Sequence, residues 1–356
     1  MVSVSKRTEH LCKNRGAEVL PTVNGHGGVF RCGNIIFVKT KEGLGNKAWI
    51  AMLLDHLDLS DPTGQYHFGG LGFDMFLMGG NDCAAHGGHP TVVTDEVSCG
   101  SSEFFTSPQA KALAASFERA CFMAECSLIQ GESPTYVYLM KSEPPVKYAP
   151  SMSVDVLGIA SRYISGEAVR PGDVIIGFPS SGLHSNGISP VIRRVMQLKE
   201  GFLTPLNGWT VGQEALIPTR SYIGLTDALL VDGIDVHAFL PMTGDGIGKF
   251  ASDPRYHYRI DNWLPEDQWP PLFRFMLEIG MPKRGVAETF NCGIGFAAIV
   301  PPSAVQKVFG TARTTFIDGD KSCSRFYEPY ILGEVEEGKA GTHFVPWDLE
   351  LPPPGE

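Results

Sequence analysis

The residues best suited to chemistry in this chain lie in one loop of small and polar residues, 180–187, which reads Ser-Ser-Gly-Leu-His-Ser-Asn-Gly. A β-branched run at 174–176 precedes the loop, and apolar residues spaced three and four apart from Ile188 onward predict a helix after it. A loop between a strand and a helix N-terminus presents backbone N–H groups and hydroxyls to an anion. Gly and Ser alone would favour an ordinary connection, but the polar run 184–186 adds donors that such a connection does not need. We therefore predict an anion site in this loop.

Carboxylates beside glycine or amide residues form a second candidate group. Glu42 follows a strand-like run and precedes Gly43, Asp82 stands next to Asn81, and Glu132 follows an apolar run and a glycine. Carboxylates delivered from several strand ends can hold Mg²⁺, which takes hard oxygen ligands and often bridges nucleotide phosphates. Each residue taken alone is better read as a solvated turn residue. Together they predict a metal site in which Glu42, Asp82 and Glu132 converge.

Composition bounds the class of protein. The chain has 356 residues, 43% hydrophobic and 19% charged, which fits a globular protein with room for two domains. The formal net charge of −10 argues against a nucleic-acid partner, since such binding relies on neutralising phosphates. No apolar run reaches the length of a membrane span, and the N-terminus lacks the apolar stretch of a secretory signal. We expect a cytoplasmic protein without a membrane partner.

Cysteine and histidine spacing gives no zinc motif. The eight cysteines include no Cys-x-x-Cys pair, and the ten histidines include no His-Glu-x-x-His pattern. Scattered cysteines in a chain of this size are typical of reduced thiols that fill a core. We therefore expect free cysteines and no zinc site.

The order of predicted elements indicates an α+β fold. Strands are predicted near 34–38, 74–80, 154–160, 174–176 and 291–300, and helices over 47–57, from Pro108, over 225–230 and over 272–279. Ser107 is the expected N-cap of the helix that begins at Pro108. We divide the chain into two α+β domains, residues 1–162 and residues 163–356.

The motifs, taken in order, resemble those of aminoimidazole ribonucleotide synthetase, the phosphoribosylformylglycinamidine cyclo-ligase family. The loop 180–187 and the preceding Gly-Asp-Val-Ile-Ile run are nearly identical to that family's signature. Further matches lie at 42–47, 81–82, 131–132, 218–222, 243–246, 290–293 and 331–335. The resemblance extends from about residue 17 onward.

This resemblance implies a two-domain fold in which residues 1–162 bind ATP and metal and pair in a homodimer. We predict that strands near 34–38, 74–80 and 154–160 form the contact, because pairing across two chains would cover exposed strand edges. The resemblance also implies ATP and Mg²⁺ as cofactors and a small-molecule substrate, phosphorylated or not. In the cyclo-ligase reaction a formamide oxygen is phosphorylated, an amidine nitrogen attacks the activated carbon, and phosphate leaves as the ring closes. That chemistry needs charge neutralisation and positioning rather than a covalent protein nucleophile.

The resemblance also assigns roles residue by residue. The catalytic candidates are Lys47, Asp82, His184 and His237. The cofactor-binding candidates are Glu42, Gly43, Gly45, Lys47, Asn81, Asp82, Gly131 and Glu132, of which Glu42, Asp82 and Glu132 are the metal ligands. The substrate-binding candidates are Ser180, Ser181, Gly182, His184, Asn186, Thr243, Gly244, Asp245 and Asn291.

Several positions depart from the family pattern at the expected chemistry. Glu42 stands where the family has Asp, Asn46 where it has Thr, Pro241 where it has a second His, and Asp245 where it has Gly. A carboxylate at 245 would repel an approaching phosphate. We interpret the chain as a divergent paralogue, with an altered substrate or weakened catalysis.

Two alternatives stay open at this point. One is a nucleotide-binding or partner protein that kept the dimer and lost turnover, which Glu42 and Pro241 favour. The other is a small-molecule kinase, because the superfamily includes thiamine-phosphate kinase beside selenophosphate synthetase and the hydrogenase-maturation dehydratase. The sequence leaves the substrate open.

Overall fold

The computed structural model describes residues 2–23, 27–57, 67–317 and 326–354. Two large mixed sheets organise these residues, the first built from residues 17–160 and the second from residues 174–351. The domain boundary predicted at residue 162 falls in the segment between the two sheets. One large hydrophobic cluster includes residues of both sheets, and a smaller one lies mainly within the second half.

The first sheet has six strands in the order β1-β2-β3-β6-β4-β5. Their bounds are β1 Ala17–Leu20, β2 Gly28–Cys32, β3 Ile35–Gly43, β4 Gly88–Ser98, β5 Ser127–Glu132 and β6 Ser151–Ala160. Neighbouring strands are antiparallel except β4 and β5. Met152, Val154 and Val156 alternate toward the buried face, so the apolar period of two decides which face is covered.

The helix Leu71–Ala85 packs on that buried face, against β3, β4 and β6. The helices of the first half are α1 Val2–Thr8, α2 Lys47–His56, α3 Leu71–Ala85 and α4 Pro108–Met123. The predicted cap of α4 is present, since the Ala110 N–H donates to Ser107 Oγ at 3.2 Å. α3 and α4 approach so closely at Gly72 that a Cβ there would lie 2.1 Å from the Phe117 nitrogen. Only glycine permits this contact.

The strand predicted at 74–80 is wrong. These residues belong to α3, a fifteen-residue helix in which all residues but Phe73 are buried. An apolar run that is buried on every side has no amphipathic period, and periodicity alone cannot then separate strand from helix. Asn81 and Asp82 therefore lie in the last turn of a helix rather than at a strand end.

The second sheet has seven strands in the order β10-β12-β7-β13-β11-β14-β15. Their bounds are β7 Val174–Pro179, β10 Ala238–Pro241, β11 His257–Ile260, β12 Ile294–Val300, β13 Tyr330–Glu336, β14 Gly341–Phe344 and β15 Leu349–Leu351. A two-stranded ribbon, β8 Pro205–Leu206 with β9 Trp209–Thr210, stands apart. The helices are α5 Ile188–Val195, α6 Val211–Ala215, α7 Ile223–Val231, α8 Pro271–Glu278, α9 Lys283–Thr289 and α10 Val305–Ala312.

The fold class and the state of the cysteines agree with the sequence. The mixture of strands and helices in both halves confirms the α+β class. The seven cysteines in the described segments are free, and Cys323 lies outside them. Among the helices of those segments, none combines the length and the apolar character needed to span a bilayer.

Candidate functional site

A polar cavity of about 310 Å³ lies where the two halves of the chain face each other. The end of β3, the last turn of α3, and the loops that follow β7 and β10 meet there. The residues that line it are Glu42, Gly43, Met78, Asp82, Asn186, Thr243, Gly244 and Lys249. Six of these eight are predicted site residues, so tertiary structure brings separate sequence motifs into one cavity.

Two carboxyl groups and one ammonium dominate the electrostatics of this cavity. Burial raises the pKa of Asp82 well above its ordinary value, and the neighbouring charge of Glu42 raises it further. Burial likewise raises the pKa of Glu42, although Asp82 and Lys249 oppose that shift. Burial lowers the pKa of Lys249, against the attraction of Asp82, Asp245 and Glu42. Ionisation of one carboxyl therefore disfavours ionisation of the other, and a cation bound in the cavity would stabilise both carboxylates.

The donor set fits a hard divalent cation. Asp82 Oδ1 is buried and has no hydrogen-bond partner among the described residues. Carboxylate oxygens are the ligands that Mg²⁺ takes in proteins, together with water and substrate phosphates. Glu42 and Asp82 are thus the two residues that could hold a metal here.

Glu132 does not join this pair. It ends β5, which is separated from β3 by β4 and β6, and the register aligns Glu132 with Glu96, Ser153 and Gly43 in turn. Three strand spacings amount to about 14 Å between backbones. The predicted three-carboxylate site is corrected to Glu42 and Asp82. Gly131 also lies apart from the cavity, packed so closely on Asp95 that a Cβ would lie 2.1 Å from Oδ1.

A larger cavity, of about 720 Å³, lies between α4 and β5. Its lining is mainly apolar, with Phe104, Phe117 and Leu128 among the side chains, and it contains neither Glu42, Asp82 nor Lys249. Size therefore does not identify the reactive centre. The smaller cavity is the candidate functional site, because the two carboxyls with raised pKa values and the lysine lie there.

Lys47 is buried away from the cavity. Its side chain is 0% exposed, and Nζ donates to Asp74 at 2.9 Å, to the His184 carbonyl at 2.9 Å and to the Ile217 carbonyl at 2.8 Å. An ammonium has three hydrogens, so all of its donor capacity is used. This corrects the placement predicted for Lys47: it joins α2 to the loop after β7 rather than facing a nucleotide.

Asp74 is the buried ion-pair partner of Lys47 and was not singled out from the sequence. The N–H and hydroxyl of Thr219 donate to its Oδ1 at 2.8 and 2.6 Å. Burial raises the pKa of Asp74 and lowers that of Lys47, and their mutual attraction opposes both shifts. Its signal in the sequence was a single carboxylate within an otherwise apolar run.

Lys249 was also missed. It lies in the 3₁₀ helix Gly246–Ser252, directly after the turn at 243–245. The run Gly-Ile-Gly-Lys at 246–249 was the available signal, because glycines beside a lysine allow a backbone to approach a phosphate.

His184 lies under the loop rather than in the cavity. Burial, and then the charges of Arg220 and Lys47, lower its pKa to about 3, so the ring is neutral near pH 7. The ring packs between Tyr222 and Gly295, where a Cβ would lie 2.4 Å from His184 Cε1. Its backbone, at φ 56°, shapes the loop. The structure thus gives His184 a packing role and not the phosphate contact predicted for its side chain.

Side-chain hydrogen bonds fix the rest of the loop. Ser180 Oγ donates to Asn291 Oδ1 at 3.0 Å, Asn291 Nδ2 donates to the Gly182 carbonyl at 2.9 Å, and Ser181 Oγ donates to the Pro218 carbonyl at 2.6 Å. Asn186 alone of the loop lines the cavity. In the described structure the N–H groups of residues 182–185 and 187 find no protein acceptor, which leaves them available to an anion.

Three further candidates lie outside the cavity. Asn81 joins α3 to the segment after 218, donating to the Arg220 carbonyl at 3.0 Å and accepting from Tyr222 N–H at 2.9 Å. Gly45, at φ 68°, lines a separate cavity beside Trp49. His237 precedes β10, whereas the turn 243–245 follows it, so about 13 Å of strand separates His237 from the far end of β10. The catalytic placement of His237 is corrected: its Nδ1 pairs with Asp173 at 2.6 Å.

Known proteins resemble this chain over most of its length. A family model described as AIR synthase related protein, C-terminal domain, matches residues 170–345. A phosphoribosylformylglycinamidine cyclo-ligase of Geobacillus thermodenitrificans is 30% identical over 96% of this chain and 94% of its own length. One of Lachnospira eligens is 28% identical over 96% and 95%.

The chain belongs to the phosphoribosylformylglycinamidine cyclo-ligase family. This confirms the resemblance found in the motifs and, with it, the predicted enzyme class, an ATP-dependent ligase of the cyclo-ligase type.

Solved structures share the fold of this cyclo-ligase relative. Thiamine monophosphate kinase of Aquifex aeolicus superposes with a TM-score of 0.56 at 14% identity, over 96% of this chain and 97% of that one. The hydrogenase maturation protein HypE in complex with ATP gives 0.55 at 13%, over 90% and 85%. At such identities the similarity concerns the fold.

Two departures from the cyclo-ligase pattern lie at the end of β10 and in the turn that follows it. Pro241 is buried at the end of the strand, and Asp245 is exposed at φ 70° in the turn that leads to Lys249. The attraction of Asp245 is one of the influences on the pKa of Lys249. The Asp245 carboxylate therefore favours the charged form of Lys249.

Proposed function

We propose that this protein uses ATP and Mg²⁺ to phosphorylate an amide-type oxygen of a small-molecule substrate, with formylglycinamidine ribonucleotide or a close analogue as that substrate. The observation that carries the proposal is the Glu42–Asp82–Lys249 group, two competing carboxyls and a lysine in one cavity between the two halves of the chain. The names of the relatives support the substrate class.

Glu42 and Asp82 hold the metal in this proposal. When bound, Mg²⁺ supplies positive charge that offsets the charge on the transferring phosphoryl group. Lys249 contributes a second positive charge from the second half of the chain. The free N–H groups of residues 182–185 and 187 belong to the loop that contributes Asn186 to the cavity, and they orient a phosphate without a side-chain charge.

The remaining work of the site is positioning. Glu42 and Gly43 come from the first sheet, whereas Asn186, Thr243 and Lys249 come from the second half, so the two reactants meet across the junction. Holding reacting groups in one geometry contributes a large part of such a barrier reduction. Thr243 carries the hydroxyl among the described lining residues. Direct phosphorylation followed by intramolecular ring closure needs positioning and no covalent protein nucleophile.

We also propose a homodimer formed by the outer face of the first sheet. β3 and β6 are interior strands whose edges are already paired, so they can contribute faces only. Ile35 and Ile159 are 47% and 44% exposed on these strands, and Phe30 stacks on Phe37 beside them. The segment 74–80 contributes no strand to this contact, because α3 is buried within the chain.

The test uses the whole protein with ATP, Mg²⁺ and formylglycinamidine ribonucleotide, with phosphate release and product mass as the readouts. Asp82→Asn and Glu42→Gln keep shape and remove the ligand charge. We expect each to reduce Mg²⁺-dependent turnover by at least about 100-fold, because even the residues that support metal ligands contribute about 10–100-fold. Glu132→Gln is the matched control and should retain wild-type activity.

Three outcomes would contradict the proposal. Wild-type turnover by Asp82→Asn would show that the metal lies elsewhere. ATP-dependent phosphate transfer to a stable phosphorylated product, with no ring closure, would show a kinase rather than a cyclo-ligase. A protein that binds ATP and turns over no substrate would support the partner-protein alternative instead.

A further inference from the structure

Three side chains with metal-binding atoms lie together at the edge of the second sheet, outside the Glu42–Asp82 cavity. His257 lies on β11, His343 on β14 and Glu350 on β15. The register pairs Arg259 with His343 and His343 with Glu350, so His343 and Glu350 are direct neighbours and His257 is diagonal to them. Because side chains alternate along a strand, all three project from the same face.

The ligand atoms are close enough to share an ion. One nitrogen of each histidine and one oxygen of Glu350 all lie within 4.8 Å of one another. A zinc ion with bonds of about 2.0–2.2 Å holds its ligands about 3.4 Å apart. Small rotations of three side chains, none of them fully buried, close the difference.

A backbone hydrogen bond orients the ring of His257. Its Nδ1 lies 3.2 Å from the Lys339 carbonyl, which can only accept a hydrogen. That bond places the proton on Nδ1 and leaves Nε2 free as a ligand. Metal-bound histidines are commonly oriented in this way, through a hydrogen bond from the other ring nitrogen to a carbonyl or carboxylate.

The Asp348 carboxylate lies beside the ring of His343, as the Lys339 carbonyl lies beside the ring of His257. Asp348 Oδ1 lies 3.5 Å from His343 Nε2, whereas Glu350 Oε1 lies 3.7 Å from Nδ1 of the same ring. A proton on Nε2, next to Asp348, leaves Nδ1 free as a ligand on the side of Glu350. Both histidines therefore have one nitrogen beside an acceptor and the other available to an ion.

We propose that His257, His343 and Glu350 bind a divalent transition-metal ion of the Zn²⁺ type. Two imidazoles and a carboxylate are the nitrogen and oxygen donors that Zn²⁺ accepts, whereas Mg²⁺ prefers oxygen alone. No sequence motif indicated this site, because His257 precedes His343 by 86 positions and only strand pairing unites them.

The position of this edge gives the ion a structural consequence. β15 pairs only with β14 in the described sheet, and a Cβ at Gly248 would lie 3.8 Å from both Leu351 Cβ and the Pro352 carbonyl oxygen. Gly248 directly precedes Lys249. A metal that ties Glu350 to β11 therefore braces the segment against which the lysine-bearing 3₁₀ helix packs.

The experiment measures metal binding by the full chain, freed of metal by chelation and held in excess Mg²⁺ to occupy Glu42 and Asp82. Zn²⁺ is titrated by calorimetry and Co²⁺ by visible absorption. We expect one ion per chain, a spectrum of nitrogen and oxygen ligation without thiolate bands, and a higher unfolding temperature when Zn²⁺ is added.

His343→Ala should weaken Zn²⁺ binding by at least about 100-fold, since even the residues that support a ligand contribute 10–100-fold. Glu350→Gln is the second variant: its exposed side chain is dispensable for folding, and it too should lose the ion. His10→Ala, an exposed histidine of the first 3₁₀ helix, is the matched control. Unchanged Zn²⁺ binding in Glu350→Gln and His343→Ala, or thiolate bands that place the ion at cysteines, would overturn the proposal.

Discussion

Replacement of Lys47 by methionine tests whether this lysine holds the fold together or takes part in catalysis. The substitution keeps the length of the side chain and removes its charge. The Asp74 carboxylate loses its ion pair, and the carbonyls of His184 and Ile217 lose their hydrogen-bond donor. The side chains of Lys47 and Asp74 are both 0% exposed, so water cannot replace the lost partner. Breaking one partner out of a buried pair costs about 3–5 kcal/mol. That is a large share of the roughly 5–15 kcal/mol by which proteins are stable.

Urea denaturation of the wild type and of Lys47→Met measures this loss. At an m-value of about 3 kcal/mol/M, the expected loss lowers the unfolding midpoint by about 1–1.7 M. Lys147→Met is the matched control, because Lys147 is 75% exposed beside Glu103 and an exposed pair contributes little to stability. The double variant Lys47→Met with Asp74→Asn should lose less than the sum of the single variants, because no buried charge is left alone.

ATP turnover by the same proteins separates the two roles. A structural Lys47 predicts that the folded fraction of Lys47→Met, assayed without urea, keeps most of its activity per folded molecule. A Lys47→Met protein with the wild-type midpoint and no turnover would refute the inference from burial and return Lys47 to the catalytic residues.

Three further predictions concern the loop, the turn and the dimer. His184→Asn tests the pH dependence of stability. The pKa of about 3 in the folded protein lies below the ordinary 6.5, so the stability that His184 contributes is full above pH 6.5 and falls as the pH drops towards 3. The wild type should lose about 2 kcal/mol of stability between pH 6.5 and about 4.5 that the variant does not lose, and equal acid sensitivity of the two proteins would contradict this. Asp245→Gly with Pro241→His should improve use of formylglycinamidine ribonucleotide by about fivefold, because removing the carboxylate is worth on the order of 1 kcal/mol near a phosphate. A wild-type rate already equal to that of a purine cyclo-ligase would show that neither position impairs use of this substrate. Ile159→Asp should yield monomers by light scattering. Val231→Asp, at an exposed apolar residue in the second half of the chain, should remain a dimer, and a monomeric wild type would contradict the proposed contact.

Local patterns in the sequence determined much of the fold. Short-range signals were sufficient wherever an element has a clear boundary or is covered on one side: the Ser107 cap predicted the start of α4, and the β-branched run 174–176 predicted β7. The motif order also identified the family. The same reasoning failed at 74–80, because a segment buried on all sides carries no alternation from which helix and strand can be told apart.

Only the tertiary structure decided which of the candidate residues line the cavity and which are buried elsewhere. Lys47, His184 and Asn186 were equally good candidates by type and neighbourhood, yet only Asn186 faces the cavity, since burial and hydrogen-bond partners depend on what packs from distant segments. Glu132 lies too far from Glu42 and Asp82 to share a metal with them, because two strands lie between β5 and β3. Residue types set which chemistry is available to this protein; strand order and helix packing set which of those residues can reach one another, because contacts between distant segments are not encoded in local spacing.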